Sequence, residues 1–206
     1  MRVCYNNHME YDNYIWDLGG TLLDNYETSS RAFAAALWML SERVILHQEI
    51  YRALKVSTAY AVEQFASDIP QFLETYKALE AQTLTHPVLF VGAEKVLSVL
   101  TENGRRNFMI SHRDAQVNEI LKSANILQFF AEVVTADNGF KRKPAPDSIH
   151  YLLEKYQMNP EKTVMIGDRS IDIEAGIAAG VKTVFFDATK RDPKATQSIT
   201  TLEALL

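Results

Sequence analysis

One cysteine, Cys4, stands in a chain of 206 residues. That excludes an intrachain disulfide framework and suits a reducing compartment. No apolar run approaches the roughly 20 residues that cross a bilayer. The stretch Met1–Asp12 is polar and lacks the apolar core of a signal peptide. The expectation is a cytoplasmic protein with no membrane partner. No long basic run is present, and Lys141-Arg142-Lys143 is too short for a nucleic-acid stripe, so no nucleic-acid partner is expected either. The net charge is −5. Internal repeats and low-complexity segments are also missing. What is present is 47% hydrophobic and 23% charged, the mix of a globular protein long enough for a sizeable core and one inserted subdomain.

Two patterns divide the chain. From about Glu27 to Thr83 it reads as helix throughout. Arg31–Leu40 is rich in helix formers. Phe72, Tyr76 and Leu79 recur at helical spacing, Tyr60 and Phe65 less strictly, and Ile69-Pro70 marks a break. Phe33, Trp38 and Phe72 are expected in the core of this block. From His86 onward, helix and strand alternate. Strands are expected at Asn107–Ile110, Ala131–Val134, Thr163–Ile166 and Lys182–Phe186. Helices are expected at Glu94–Asn103, Ala115–Ser123, Pro146–Tyr156 and Ile171–Ala179. Alternation of this kind implies right-handed crossovers and a Rossmann-like α/β fold with a mostly parallel sheet. The first strand, Tyr14–Trp16, precedes the helical block. The expected division is therefore an α/β core at residues 1–24 and 85–206, with a small α-helical domain at 25–84 inserted at the C-terminal edge of the sheet as a lid.

Polar groups gather where strands end. Asp17 follows the first strand beside Gly19-Gly20, Ser111 follows Phe108-Met109-Ile110, and Asp168 follows Val164-Met165-Ile166-Gly167. Lys143 and Asp172 open or precede helices. Each has a plain reading alone: a loop acid, a helix N-cap, a carboxylate complementing a helix dipole. Open α/β sheets keep their reactive groups at strand C-termini, so the set carries more weight than its members.

Four segments in this order resemble the haloacid dehalogenase-like hydrolase superfamily. They are Asp17-Leu18-Gly19-Gly20-Thr21-Leu22, Phe108–Ser111, Lys143-Pro144-Ala145-Pro146-Asp147 and Gly167-Asp168-Arg169-Ser170-Ile171-Asp172. The resemblance covers nearly the whole chain, and the helical block is similar to the cap of the phosphoglycolate phosphatase and β-phosphoglucomutase branch. It implies Asp17 as nucleophile and Ser111 as a holder of phosphoryl oxygens. Lys143 would neutralise charge, and Gly20 would allow a tight turn. It implies Mg²⁺ on Asp17, Asp168, Asp172 and the carbonyl of Gly19. Gly20, Thr21, His112 and Lys55 would meet the substrate, a small phosphorylated metabolite. The protein would be a monomer or weak homodimer.

One position departs from the family pattern. Phosphatases of this superfamily carry an Asp two residues after the nucleophile, which protonates the leaving oxygen. Here the residue is Gly19. A missing acid–base group costs about 10²–10⁴-fold in rate. Candidate substitutes are His112, His47 and Glu63, whereas Asp24 fits a hinge. Lys55, in Leu54-Lys55-Val56-Ser57-Thr58, keeps open a phosphonatase-like cleavage of a C–P bond through a Schiff base. A catalytically weak module that binds a phosphometabolite is the third reading. Arg113 and Arg169 are either substrate contacts or solvent-facing helix-start residues, and Lys141 and Arg142 are expected on a solvated rim.

Overall fold

The computed structural model describes residues 11–83 and 87–206; Cys4, the polar stretch ahead of Tyr11 and His86 lie outside them. The chain divides into two compact units. One holds the described residues up to Leu23 together with Leu89–Leu206, and the other spans Asp24–Val88.

The first unit is built on a six-stranded sheet in which all paired neighbours are parallel. Its strands are β1 (Asn13–Trp16), β2 (Arg106–Ile110), β3 (Phe130–Val134), β4 (Thr163–Gly167), β5 (Lys182–Phe186) and β6 (Gln197–Ile199). The spatial order is β3-β2-β1-β4-β5-β6. Every residue of β1 and of β4 is buried, as expected of central strands covered on both faces. Four α-helices belong to this unit: Ala93–Glu102, Gln116–Ser123, Asp147–Lys155 and Ser170–Ala178. On one side Ile15, Phe108 and Met165 pack with Ile149, Leu152 and Ala175.

The order of the strands positions the site. From β1 the chain moves outward through β2 and β3, then returns to place β4 on the other side of β1. Direction therefore reverses between β1 and β4, and such a switch point opens a crevice at the strand C-termini. Asp17 and Asp168 are the first residues beyond those two strands. The register pairs Trp16 with Ile166, and the Asp17 N–H donates to the Ile166 carbonyl at 2.9 Å.

The second unit is helical. Its helices are α1 (Asn25–Ser41), α2 (His47–Val56), α3 (Thr58–Phe65) and α4 (Phe72–Thr83). We number the helices of the α/β unit α5 to α8 in chain order. Phe33 anchors the helical core, with its ring centroid 4.6 Å from Phe72 and 5.2 Å from Tyr76. Trp38 corrects an expectation: it is 58% exposed. It sits near the C-terminal end of α1, one position beyond buried Leu37, and so faces away from the stripe formed by Ala32, Phe33, Ala36 and Leu37. The strand β6 was not anticipated. It has three residues, only one of them buried, and pairs at the sheet edge with β5. A strand that short and polar carries no alternation to read.

The junction between the units is a pair of chain segments. Leu23 and Leu89 form an antiparallel bridge. The Phe90 N–H donates to the Leu22 carbonyl at 3.0 Å, and the Asp24 N–H donates to the Val88 carbonyl at 2.7 Å. The Asp24 carboxylate also caps α1 by accepting the Glu27 N–H. Among the described residues no helix is long and apolar enough to cross a membrane.

Candidate active site

Three carboxylates converge at the switch point. One oxygen from each of Asp17, Asp168 and Asp172 lies within 4.8 Å of the other two. Asp172 is in the first turn of α8 (Ser170–Ala178), and its Oδ2 accepts the Arg169 N–H at 3.1 Å. Asp172 thus stands at a helix start and in the cluster at once: Oδ2 meets the helix end, and Oδ1 lies 2.6 Å from the Lys143 ammonium.

Glycines make room for this crowding. Gly20 has φ +89°, and a Cβ there would run into the Asp168 carboxylate. A Cβ on Gly167 would meet the Asp172 carboxylate in the same way. The loop after Asp17 folds back on one carbonyl. Leu18 O accepts N–H groups from Thr21, Leu22 and Leu23. That turn brings the Thr21 hydroxyl to 3.5 Å from Asp168 Oδ1. Gly19 is half-buried and bridges to Leu23 through its backbone.

Lys143 supplies the counter-charge. Its ammonium is buried, 2.5 Å from Asp17 Oδ1 and 2.6 Å from Asp172 Oδ1. Burial alone would push this ammonium's pKa down. The Asp17 and Asp172 charges outweigh it and hold the group above the usual lysine range. Burial, and next the charge of Asp17, raise the Asp172 carboxyl, with Lys143 pulling the other way. Two of the three carboxylates, Asp17 and Asp172, share the one ammonium, and Asp168 completes the cluster. Clustered carboxylate oxygens of this kind, two from buried residues and one from half-buried Asp17, fit a hard divalent cation.

Two further strand-end residues stand beside it. Trp16 pairs with Met109, so Asp17 and Ser111 leave neighbouring strands. Ser111 is buried, and its Oγ accepts the Arg113 N–H at 3.2 Å. His112 is half-buried, and its Nε2 accepts the Lys143 N–H at 2.9 Å. Burial, followed by the charges of Lys143 and Arg142, pushes the imidazole down to about 4. Arg142 is exposed, as a rim residue would be, yet its guanidinium donates to the His112 carbonyl at 2.8 Å. Arg169 and Lys141 are exposed. No spacing in the sequence announces the bonds from residue 112 to Arg142 and Lys143, because they join two loops far apart in the chain.

The remaining candidates belong to the helical unit. The Lys55 ammonium lies 5.8 Å from the Tyr26 ring centroid, and the Tyr51 hydroxyl donates to Asp24 at 3.2 Å. His47 Nε2 is 2.7 Å from Glu27 Oε2. Glu63 is exposed.

Comparison with known proteins gives a consistent family. A hydrolase from Streptococcus pneumoniae TIGR4 has a solved structure with 53% sequence identity and a TM-score of 0.80, covering 84% of this chain and 91% of that one. A phosphoglycolate phosphatase of Aquifex aeolicus (strain VF5) is 26% identical over 82% of this chain and 81% of its own length. A pyrophosphatase PpaX of Bacillus pumilus (strain SAFR-032) is 26% identical over 86% and 83%. The family model for haloacid dehalogenase-like hydrolase matches residues 14–186, a span that takes in all four motif segments. The sheet order, the strand-end carboxylates and this match together place the chain in the haloacid dehalogenase-like hydrolase family.

Proposed function

We propose that this chain is a Mg²⁺-dependent phosphatase of a small phosphorylated metabolite, working through an aspartyl-phosphate on Asp17. The observation that carries the reading is the constellation of half-buried Asp17 with buried Asp168, Asp172 and Lys143 at the switch point. The relatives' names, phosphoglycolate phosphatase and pyrophosphatase, support phosphate esters and anhydrides as the substrate class. We assign the Asp24–Val88 unit as the inserted helical cap of the family.

Asp17, Asp168 and Asp172, with the Gly19 carbonyl, would hold Mg²⁺. The ion would screen the repulsion between an anionic carboxylate and an anionic phosphate. Lys143 adds a fixed positive charge beside the attacking oxygen. Ser111 and the backbone N–H groups around Gly20 and Thr21 orient the phosphoryl oxygens. An Asp17 carboxylate oxygen attacks phosphorus, the bond from phosphorus to the leaving oxygen breaks, and that oxygen keeps the electron pair. It takes its proton from solvent, because residue 19 has no side chain to give one. Water then attacks the same phosphorus, the bond from phosphorus to the Asp17 oxygen breaks, the water gives up a proton to solvent, and phosphate leaves with the Asp17 carboxylate regenerated. Turnover is slow for want of a positioned acid.

A panel of phosphate monoesters with Mg²⁺ tests the reading by phosphate release. Asp17→Asn should abolish it, and release that survives this substitution would reject the nucleophile. Gly19 favours a second reading, a binding protein with little turnover. Tight binding of a panel member without phosphate release separates that case.

A further inference from the structure

The sequence offers His112 both as a substrate contact and as a stand-in for the side chain missing at position 19. We propose instead that His112 is a positioning residue, which holds Lys143 on Asp17 through a two-point clasp between the loop after β2 and the loop before α7. The inference rests on the reading of Asp17 as nucleophile.

The clasp uses adjacent residues in opposite senses. The Lys143 backbone N–H donates to the His112 ring at Nε2, 2.9 Å away. The Arg142 side chain donates to the His112 backbone carbonyl at 2.8 Å. The segment from Lys141 to Pro146 forms no helix or strand, and its internal support includes a single turn bond from the Ala145 N–H to the Arg142 carbonyl at 3.0 Å. The bond to His112 is therefore made at the backbone of the very residue whose ammonium must be placed. At the far end of that side chain, Nζ stands 2.5 Å from Asp17. A shift of about 1 Å at such a contact can cost on the order of 10²-fold in rate.

The same bond decides what the ring can do. Nε2 accepts an N–H only when it carries no proton, so the ring proton sits on Nδ1. Burial and the neighbouring Lys143 and Arg142 charges keep the ring neutral. Nε2 therefore has no proton to give a leaving oxygen.

Two substitutions separate positioning from proton transfer. His112→Gln can place an amide oxygen near the reach of Nε2, preserving the acceptor while removing all acid–base capacity. His112→Leu removes both. With p-nitrophenyl phosphate and Mg²⁺ as probe, we expect Gln to keep kcat within about threefold and Leu to lose roughly 10–100-fold with little change in KM. Arg142→Met should fall between them. Equal losses in the Gln and Leu variants would assign proton transfer to His112 and overturn the proposal, as would an unaffected Leu variant. A separate measurement needs neither metal nor ester. Long-range ¹⁵N–¹H correlation on histidine-labelled protein, with His112 assigned by its disappearance in the Gln variant, should show the Nδ1–H tautomer. An Nε2–H tautomer overturns the clasp. If Asp17→Asn left phosphate release intact, the nucleophile reading would fail while the tautomer still tested the clasp.

Discussion

Gly19 and Gly20 stand side by side and do opposite things. Gly20 is required by its surroundings: its φ is +89°, and a Cβ would strike Asp168. Gly20→Ala should therefore lower both thermal stability and Mg²⁺ affinity, measured by melting with and without the ion. Gly19 withholds a side chain the chemistry would use. Gly19→Asp should raise kcat by about 10²–10⁴-fold if the missing acid limits turnover. His112 gives a prediction in pH. Its folded pKa of about 4 lies below its ordinary value of 6.5, through burial first and then the cations Lys143 and Arg142, with Arg169 adding and Asp172 opposing. A depressed histidine contributes stability that is present above pH 6.5 and lost as pH falls toward 4. In urea melts across that window, wild type should lose more stability than His112→Gln. Asp17, Asp168 and Asp172 stood out in the sequence because each is tied to a strand end or a helix start, and Lys143 because of its Lys-Pro-Ala-Pro-Asp context. The task of His112 was not, because it depends on which nitrogen faces which backbone N–H.

At the scale of elements, most strands and helices could be read from the chain, and the reasons are local. β1 and β4 are short apolar runs ending at a carboxylate or at Gly-Asp. α5 (Ala93–Glu102) stops at Asn103-Gly104, with Gly104 at φ +71°. The break at Ile69-Pro70 does fall between α3 and α4, but the rest of the partition of the helical block could not be read. α1 ends at Glu42 in a left-handed conformation, a residue that carries no stop signal. α2 and α3 meet at Ser57, whose hydroxyl accepts the Tyr60 N–H at 3.0 Å. The misplacement of Trp38 has the same origin: composition marks it as core, and only the angle around α1 shows otherwise. The block's stability rests on its aromatic centre. Phe33→Ala should cost about 3–5 kcal/mol, read as a lowered melting transition of the helical unit by circular dichroism.

For the molecule as a whole, the proposed ion at the acidic cluster would link stability to Mg²⁺. A ligand that binds only the folded state adds about 2.7 kcal/mol at one hundred times its Kd. Saturating Mg²⁺ should therefore raise the melting temperature, EDTA should reverse the gain, and Asp172→Asn should remove most of it. The division into two units was visible as a change of pattern along the chain, but the manner of their joining was not. The two joining segments run antiparallel and are hydrogen-bonded to each other through Leu22, Asp24, Val88 and Phe90. Chain leaving the α/β unit at Leu23 returns at Leu89 across a single ladder spacing, about 4.5–5.5 Å between Cα atoms. To the sheet, the whole insert is thus no more demanding than a hairpin turn. Replacing Asp24–Val88 with Asn-Gly should leave a folded α/β unit with a native-like circular dichroism spectrum. Seen this way the junction is a socket. A module whose two ends lie side by side should seat there in place of Asp24–Val88 without disturbing the strands on either side.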